Sequence, residues 1–123
     1  MKKLILPLAV LLLAGCYSDK ESELYPSPTT GGGGCDTANM TFAKVQPIFN
    51  QSCALAGCHD AATKSFNHDL SNYNGIVTSV NTGRLLGAIR HETSFLQMPK
   101  GMPKMDDCKI SQITAWVNAG MPQ

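Results

Sequence analysis

The sequence predicts a small all-α domain over residues 35–123. Apolar residues recur at helical spacing in several segments, while the alternation typical of strands is weak and short. Long polar loops separate the apolar segments, and we expect about four short helices. A domain of roughly 90 residues gains only marginal stability from an apolar core, so a cofactor or a disulfide is expected to contribute.

The first predicted helix leads toward a closely spaced pair of cysteines. Its apolar face consists of Phe42, Val45, Ile48 and Phe49. Pro47 lies in the same segment and has no N–H to donate to the preceding turn. We therefore expect the helix to begin close to Pro47 or to kink there.

Three further helical segments follow. Tyr73, Ile76, Val77 and Val80 mark one that Gly83 breaks, and Leu85, Leu86 and Ile89 mark a short one that closes around His91. Residues 98–105, MPKGMPKM, contain two prolines and a glycine, which favours an ordered loop; we name it the methionine strap. The last helix presents Ile110, Ile113, Trp116 and Val117, with Asp106 or Asp107 as its N-cap and Gly120 at its end.

The N-terminal segment has the layout of a bacterial export signal. Two lysines precede an apolar run over residues 4–13, which is too short to span a bilayer as a helix. The run ends in LAGC at residues 13–16, which resembles a lipobox and implies cleavage before Cys16 and lipidation of that cysteine. We therefore assign residues 1–15 to a lipoprotein signal peptide.

Residues 16–34 are predicted to form a lipidated cysteine followed by a flexible linker. The stretch is polar and rich in Pro, Ser, Thr and Gly, so it has too little apolar surface to fold. Removing residues 1–15 takes away Lys2 and Lys3, which changes the formal net charge from +1 to −1. Without a basic patch, nucleic acid is not an expected partner.

The segment CALAGCHD at residues 53–60 is the most informative for function. Structural zinc sites need four ligands, usually in two close pairs, and no second pair follows Cys53, Cys58 and His59. Copper suits Cys, His and Met ligands, and the chain has six methionines. A plain Cys53–Cys58 disulfide would leave the adjacent histidine unexplained.

Covalently attached haem c is the fourth interpretation. Its usual signature is C-x-x-C-H, where both thiols bond to the haem and the histidine ligates iron. Here the spacer has four residues instead of two. The two extra residues must bulge outward, which the small residues Ala54, Ala56 and Gly57 make easier.

Five sequence elements in order resemble the small cytochrome c domains of bacterial exported proteins. They are VQPIF at 45–49, the cysteine pair with His59, LSNY at 70–73, MPKG at 98–101, and a C-terminal segment containing Ile113 and WVNAG at 116–120. The likeness covers about residues 41–121. It implies a cytochrome c-like fold of short helices wrapped around one haem c, with Cys53 and Cys58 attached covalently and His59 as the proximal axial ligand.

The resemblance implies that Met98 is the distal axial ligand of the haem iron. Met102 also precedes a proline and is the runner-up, and His91, His68 or an open position are the remaining alternatives. We expect His68 to be a solvated loop histidine. Met102 and Met105 are otherwise expected to fill the core or the pocket. Trp116, Phe49, Tyr73 and Leu70 are expected to line the haem or the core beneath it.

Cys35 and Cys108 remain once the other cysteines are assigned. In an oxidising compartment an even pair favours a disulfide, with free thiols or an intermolecular bond as alternatives. Without haem, Cys35, Cys53, Cys58 and Cys108 could pair in three ways.

The sequence thus leads to an expected lipid-anchored electron carrier with redox partner proteins in the cell envelope. We expect attachment to a bacterial membrane, in the first place the outer membrane, with the domain in the periplasm or at the cell surface. No nucleophile motif or catalytic constellation is evident, so neither an enzyme nor a small-molecule substrate is expected. The alternatives are a copper-binding lipoprotein that uses Cys53, Cys58, His59 and nearby methionines, and a cofactor-free module stapled by disulfides.

Overall fold

Four α-helices form the framework of the structure, a computed structural model that describes residues 34–123. They are α1 (Phe42–Ser52), α2 (Tyr73–Asn81), α3 (Leu85–Ile89) and α4 (Asp107–Asn118), with one 3-10 turn at Ser65–Asn67. Within these residues there is no strand, so the all-α class is confirmed. No helix of this part of the chain is long and apolar enough to cross a membrane. The predicted signal peptide, Cys16 and the linker up to residue 33 lie outside the described residues.

The helix ends follow from local chemistry, and at Pro47 the structure excludes one of the two predicted alternatives, a helix that begins close to the proline. Helix α1 begins at Phe42, five residues before Pro47, and Pro47 lies inside it. The buried face of this helix outweighs the one backbone hydrogen bond that the proline cannot donate. At α4, Asp106 rather than Asp107 is the N-cap, and its carboxylate accepts a hydrogen bond from the N–H of Cys108 at 2.9 Å.

The apolar core takes residues from all four helices, and α1 and α4 pack against each other. Phe49 and Trp116 are fully buried, and their ring centroids are 6.4 Å apart. The C-terminal residues close over this core: the indole N–H of Trp116 donates to the carbonyl of Pro122, and the hydroxyl of Tyr73 donates to the carbonyl of Met121, both at 2.8 Å.

A disulfide joins Cys35 to Cys108, with the two Cα atoms 5.2 Å apart. It ties the chain just before α1 to the first turn of α4, across a sequence separation of 73 residues. This is the pairing that the sequence analysis favoured over free thiols. Cys53 and Cys58 are not joined to each other or to this pair.

Candidate functional site

The candidate site is built on the turn that follows α1. The N–H groups of Cys53 and Ala54 both donate to the carbonyl of Phe49 at 2.8 Å, which ends the helix. The N–H of Cys58 donates to the carbonyl of Leu55 at 2.9 Å, so the spacer forms a tight turn. Gly57 has φ +81° with nothing within 4 Å of where a Cβ would stand, so glycine is required there by backbone conformation and not by space.

The turn brings the two cysteines and His59 to the wall of one cavity. The N–H of His59 donates to the carbonyl of Cys53 at 3.2 Å, which folds the histidine back beside the first cysteine. The cavity has a volume of about 510 Å³, within the range of roughly 300–1,000 Å³ common for ligand and cofactor pockets. Cys53, Cys58 and His59 all line it.

The two thiols differ in their surroundings. Cys58 is exposed, whereas Cys53 is half-buried, and both are free. Burial, together with the nearby Cys58, raises the pKa of the Cys53 thiol to about 12, so this thiol is neutral at ordinary pH. Both cysteines are free and line the cavity, and Cys58 is the more accessible of the two.

The His59 ring is oriented by the backbone of a neighbouring loop. Its Nδ1 lies 3.2 Å from the carbonyl oxygen of His68. Because a carbonyl only accepts, Nδ1 carries the proton in this hydrogen bond, and the lone pair is then on Nε2. The carbonyl of His59 accepts from the N–H of Leu70 at 2.8 Å, so both the ring and the backbone of this residue are fixed. Such an arrangement is typical of a metal-ligating histidine.

His68 differs from its predicted role as a solvated loop residue. Its ring is half-buried and lines the cavity, and its Nδ1 lies 2.8 Å from the hydroxyl of Ser79, which is 5% exposed. The prediction was wrong because the polar neighbours Asn67 and Asp69 gave no sign of the buried serine on α2. The signal in the sequence was the helical face that Ser79 shares with Ile76.

The methionine strap supplies another part of the cavity wall. Met98, Met102 and Met105 all line the cavity. Met105 is buried, whereas Met102 is 56% exposed. The N–H of Met98 donates to the carbonyl of Ala88 at 3.0 Å, which fastens the start of the strap to α3. His91 does not line the cavity.

Of the four apolar residues expected to line the haem or the core, only Leu70 lines the cavity. Phe49, Tyr73 and Trp116 belong to the core cluster or pack against it. The cavity wall is formed instead by residues that the sequence analysis did not single out for this role, chiefly Leu85, Ala88, Ile89, Phe95 and Leu96. These come from α3 and the loop after it, whose path cannot be deduced from periodicity.

Two exposed cations, Arg84 and Lys100, also line the cavity. Neither forms a salt bridge with an acidic side chain within residues 34–123, in contrast to Lys64, which pairs with Asp69 at 3.9 Å. Unpaired cations beside a mostly apolar cavity suit a ligand that has an apolar body and negatively charged groups. The sequence analysis missed both residues because isolated basic residues in loops have no distinguishing pattern.

A preformed metal chelate is not found in the part of the chain that the structure describes. No group of three or more His, Cys, Asp or Glu side chains is placed to hold a metal ion there. Cys53, Cys58 and His59 thus share a cavity wall without converging on one point, which gives no support to a structural zinc site.

Comparison of the chain with protein-family models, with curated proteins and with solved structures found no significant match.

Proposed function

We propose that this protein is an electron carrier with one covalently attached haem c. The observation that supports this most strongly is the shared wall of Cys53, Cys58 and His59, in which both thiols are free and His59 has its Nε2 lone pair uncommitted. Together with the C-x-x-x-x-C-H spacing, this set matches two thioether bonds and one axial ligand.

The residues around the cavity fit such a group. Apolar side chains make up most of the wall, as a largely apolar macrocycle requires, and Arg84 and Lys100 suit its two carboxylates. The wall also contains polar residues, among them His59, His68 and the buried Ser79. They are joined by hydrogen bonds, from His59 to the His68 carbonyl and between His68 and Ser79. This lining suits haem better than a small hydrophilic ligand.

Cys53 and Cys58 would hold the group by thioether bonds, with His59 as the proximal and Met98 as the distal axial ligand. When bound, haem c supplies a one-electron couple at its iron. The chain's own part would be to supply these two iron ligands and to surround the group with apolar side chains. Ligation by histidine and methionine would raise the reduction potential and would leave no place at the iron for a substrate. An electron-transfer role follows, rather than an enzymatic one.

The proposed location rests on the N-terminal sequence. A lipid on Cys16 would anchor the protein to a bacterial membrane, in the first place the outer membrane, and residues 17–34 would act as a tether. Tethering raises the effective concentration of the domain at its redox partners in the cell envelope.

Absorbance of the purified full-length protein tests this function against its rivals. The protein is expressed with a c-type haem maturation system, and loose haem is washed away. A Soret band that survives denaturation supports the proposal, and its absence from a C53A/C58A double variant is the matched control. Copper binding without a Soret band would favour the copper-binding lipoprotein. The absence of both a Soret band and copper binding would favour the cofactor-free module.

A further inference from the structure

The chain turns sharply between α3 and the methionine strap, and His91 lies at this turn. Its φ is +59°, a left-handed conformation in which histidine, asparagine and aspartate are enriched among non-glycine residues. The N–H of His91 donates to the carbonyl of Ala88 at 3.2 Å, and that of Glu92 donates to the carbonyl of Gly87 at 3.0 Å. The backbone of the turn is thereby fixed against α3.

The imidazole of His91 reaches the strap at its first residue. Its Nε2 lies 3.0 Å from the carbonyl oxygen of Met98. Because that oxygen only accepts, Nε2 carries the proton in this hydrogen bond. The half-buried ring does not line the cavity, so it is placed to act on Met98 rather than on a bound group.

Met98 is therefore held at both of its backbone polar groups. Its N–H donates to Ala88, and its carbonyl accepts from His91. Met102, by comparison, is 56% exposed, and its N–H bonds only within the strap, to the carbonyl of Pro99 at 3.3 Å. A backbone fixed in advance loses less entropy when its side chain becomes a ligand.

We propose that His91 is a positioning residue that holds Met98 ready as the distal ligand. The proposal rests on the function proposed above. His91 acts through its hydrogen bond to the Met98 carbonyl and not by ligating iron itself. Loss of that bond frees the start of the strap and lets other ligands compete with the thioether.

Two variants of the holoprotein separate this hydrogen bond from a general effect on folding. H91N keeps a residue that tolerates the left-handed backbone, but its amide is too short to reach the Met98 carbonyl. H91Q places an amide nitrogen at about the reach of Nε2 and is expected to restore the bond. H91G, which suits the left-handed conformation and has no side-chain donor, replaces H91N if that variant does not fold.

The measurements are the thioether-to-iron charge-transfer absorption of the oxidised protein and its rate of binding exogenous imidazole. We expect H91N to bind imidazole about five- to tenfold faster than the wild type, the effect of losing one hydrogen bond, and to show a weaker charge-transfer band. We expect H91Q to stay close to the wild-type rate. The wild type and each His91 variant are measured well below their unfolding temperatures.

The positioning role would be overturned if H91N bound imidazole at the wild-type rate and kept an undiminished charge-transfer band. It would also be overturned if H91Q bound imidazole as fast as H91N. The failure of the proposed function looks different. In that case the wild-type protein itself retains no haem, and neither the charge-transfer band nor the imidazole-binding rate can be measured.

Discussion

Met98 and Met102 have the same side chain and the same following residues, Pro-Lys, yet the structure holds them differently. Met98 is half-buried with both backbone polar groups bonded, whereas Met102 is largely exposed. The distal ligand that the resemblance implied is thus also the better-held of the two methionines. The sequence alone did not decide which of the two methionines would be the distal ligand.

Axial ligands set haem reduction potentials over a range of roughly 0.8 V. We expect M98A to lower the reduction potential by about a tenth of that range and to abolish the thioether charge-transfer band. M102A is the matched control and should leave both close to wild type. Spectroelectrochemical titration of the two variants measures the potentials. If M102A removed the band and M98A did not, the assignment of the distal ligand would be reversed.

The two free cysteines should also behave differently in protein expressed without haem maturation. The thiolate is the reactive form, and burial raises the pKa of Cys53 to about 12. At pH 8 we expect iodoacetamide to modify the exposed Cys58 at least about tenfold faster than Cys53, as read by mass spectrometry of the peptides. The rate at Cys53 should then rise about tenfold per pH unit up to its pKa. Equal rates at pH 8 would contradict the burial of Cys53.

The same raised pKa predicts the direction of a stability change in the haem-free chain. Folding favours the neutral thiol of Cys53, so its contribution is fully present below the unfolded-state pKa, near 9, and is lost as the pH rises toward about 12. Urea unfolding of the wild type and of C53A across this range isolates the contribution. If the free energy of unfolding of the wild type fell no more steeply with pH than that of C53A, the predicted contribution of the Cys53 thiol would be wrong.

Among the elements, α4 depends most directly on a covalent link. The Cys35–Cys108 disulfide closes a loop with a sequence separation of 73 residues, for which the chain-entropy model gives a stabilisation of about 4 kcal/mol. We expect C35A/C108A to lose up to this amount, measured by urea unfolding of the holoprotein. With the haem iron held ferrous by ascorbate in every sample, a thiol reductant should lower the stability of the wild type toward that of the variant and leave the variant unchanged. An equal response of both proteins to reductant would rule out this bond as the cause.

Helix α3 depends on a close approach at Gly87. A Cβ at this position would collide with the ring of Phe95, including its Cγ at 2.7 Å. Since α3 and Phe95 both line the cavity, the contact fixes one side of the site. We expect G87A to destabilise the protein by about 1–3 kcal/mol, the usual effect of overpacking, and F95L to relieve part of this in the double variant. A thermal unfolding cycle measures the coupling, and a neutral G87A would disprove the contact.

The elements differ in how far the sequence predicts them. Ile110, Ile113 and Trp116 lie at helical spacing, and α4 follows that pattern closely. The apolar face of α1 was predicted, but its first residue was not, because Pro47 allowed either a helix boundary or a continuous, kinked helix. Tertiary burial carries the helix through the proline. The site shows the same division. Local spacing indicated Cys53, Cys58 and His59. The roles of His68 and His91 depend on hydrogen bonds to residues 7 to 11 positions away, which no helical pattern in the sequence indicates.

The whole domain of roughly 90 residues combines an apolar core with a cavity of about 510 Å³, and the two share Leu70, Ile89 and Met105. Such a domain is near the lower limit for stability from apolar burial alone. A group that fills the cavity and is joined to the end of α1 would add apolar contacts that the chain lacks. The all-α class was accessible from periodicity, whereas the cavity was not, because it arises from how α3 and the strap pack.

Covalent haem attachment is tested most directly by the pyridine haemochrome spectrum of the denatured protein after expression with c-type maturation. We expect an α-band at the position of a haem with two thioether bonds, which means that both Cys53 and Cys58 are attached despite the four-residue spacer. If no haem is retained after denaturation, the protein is not a cytochrome c.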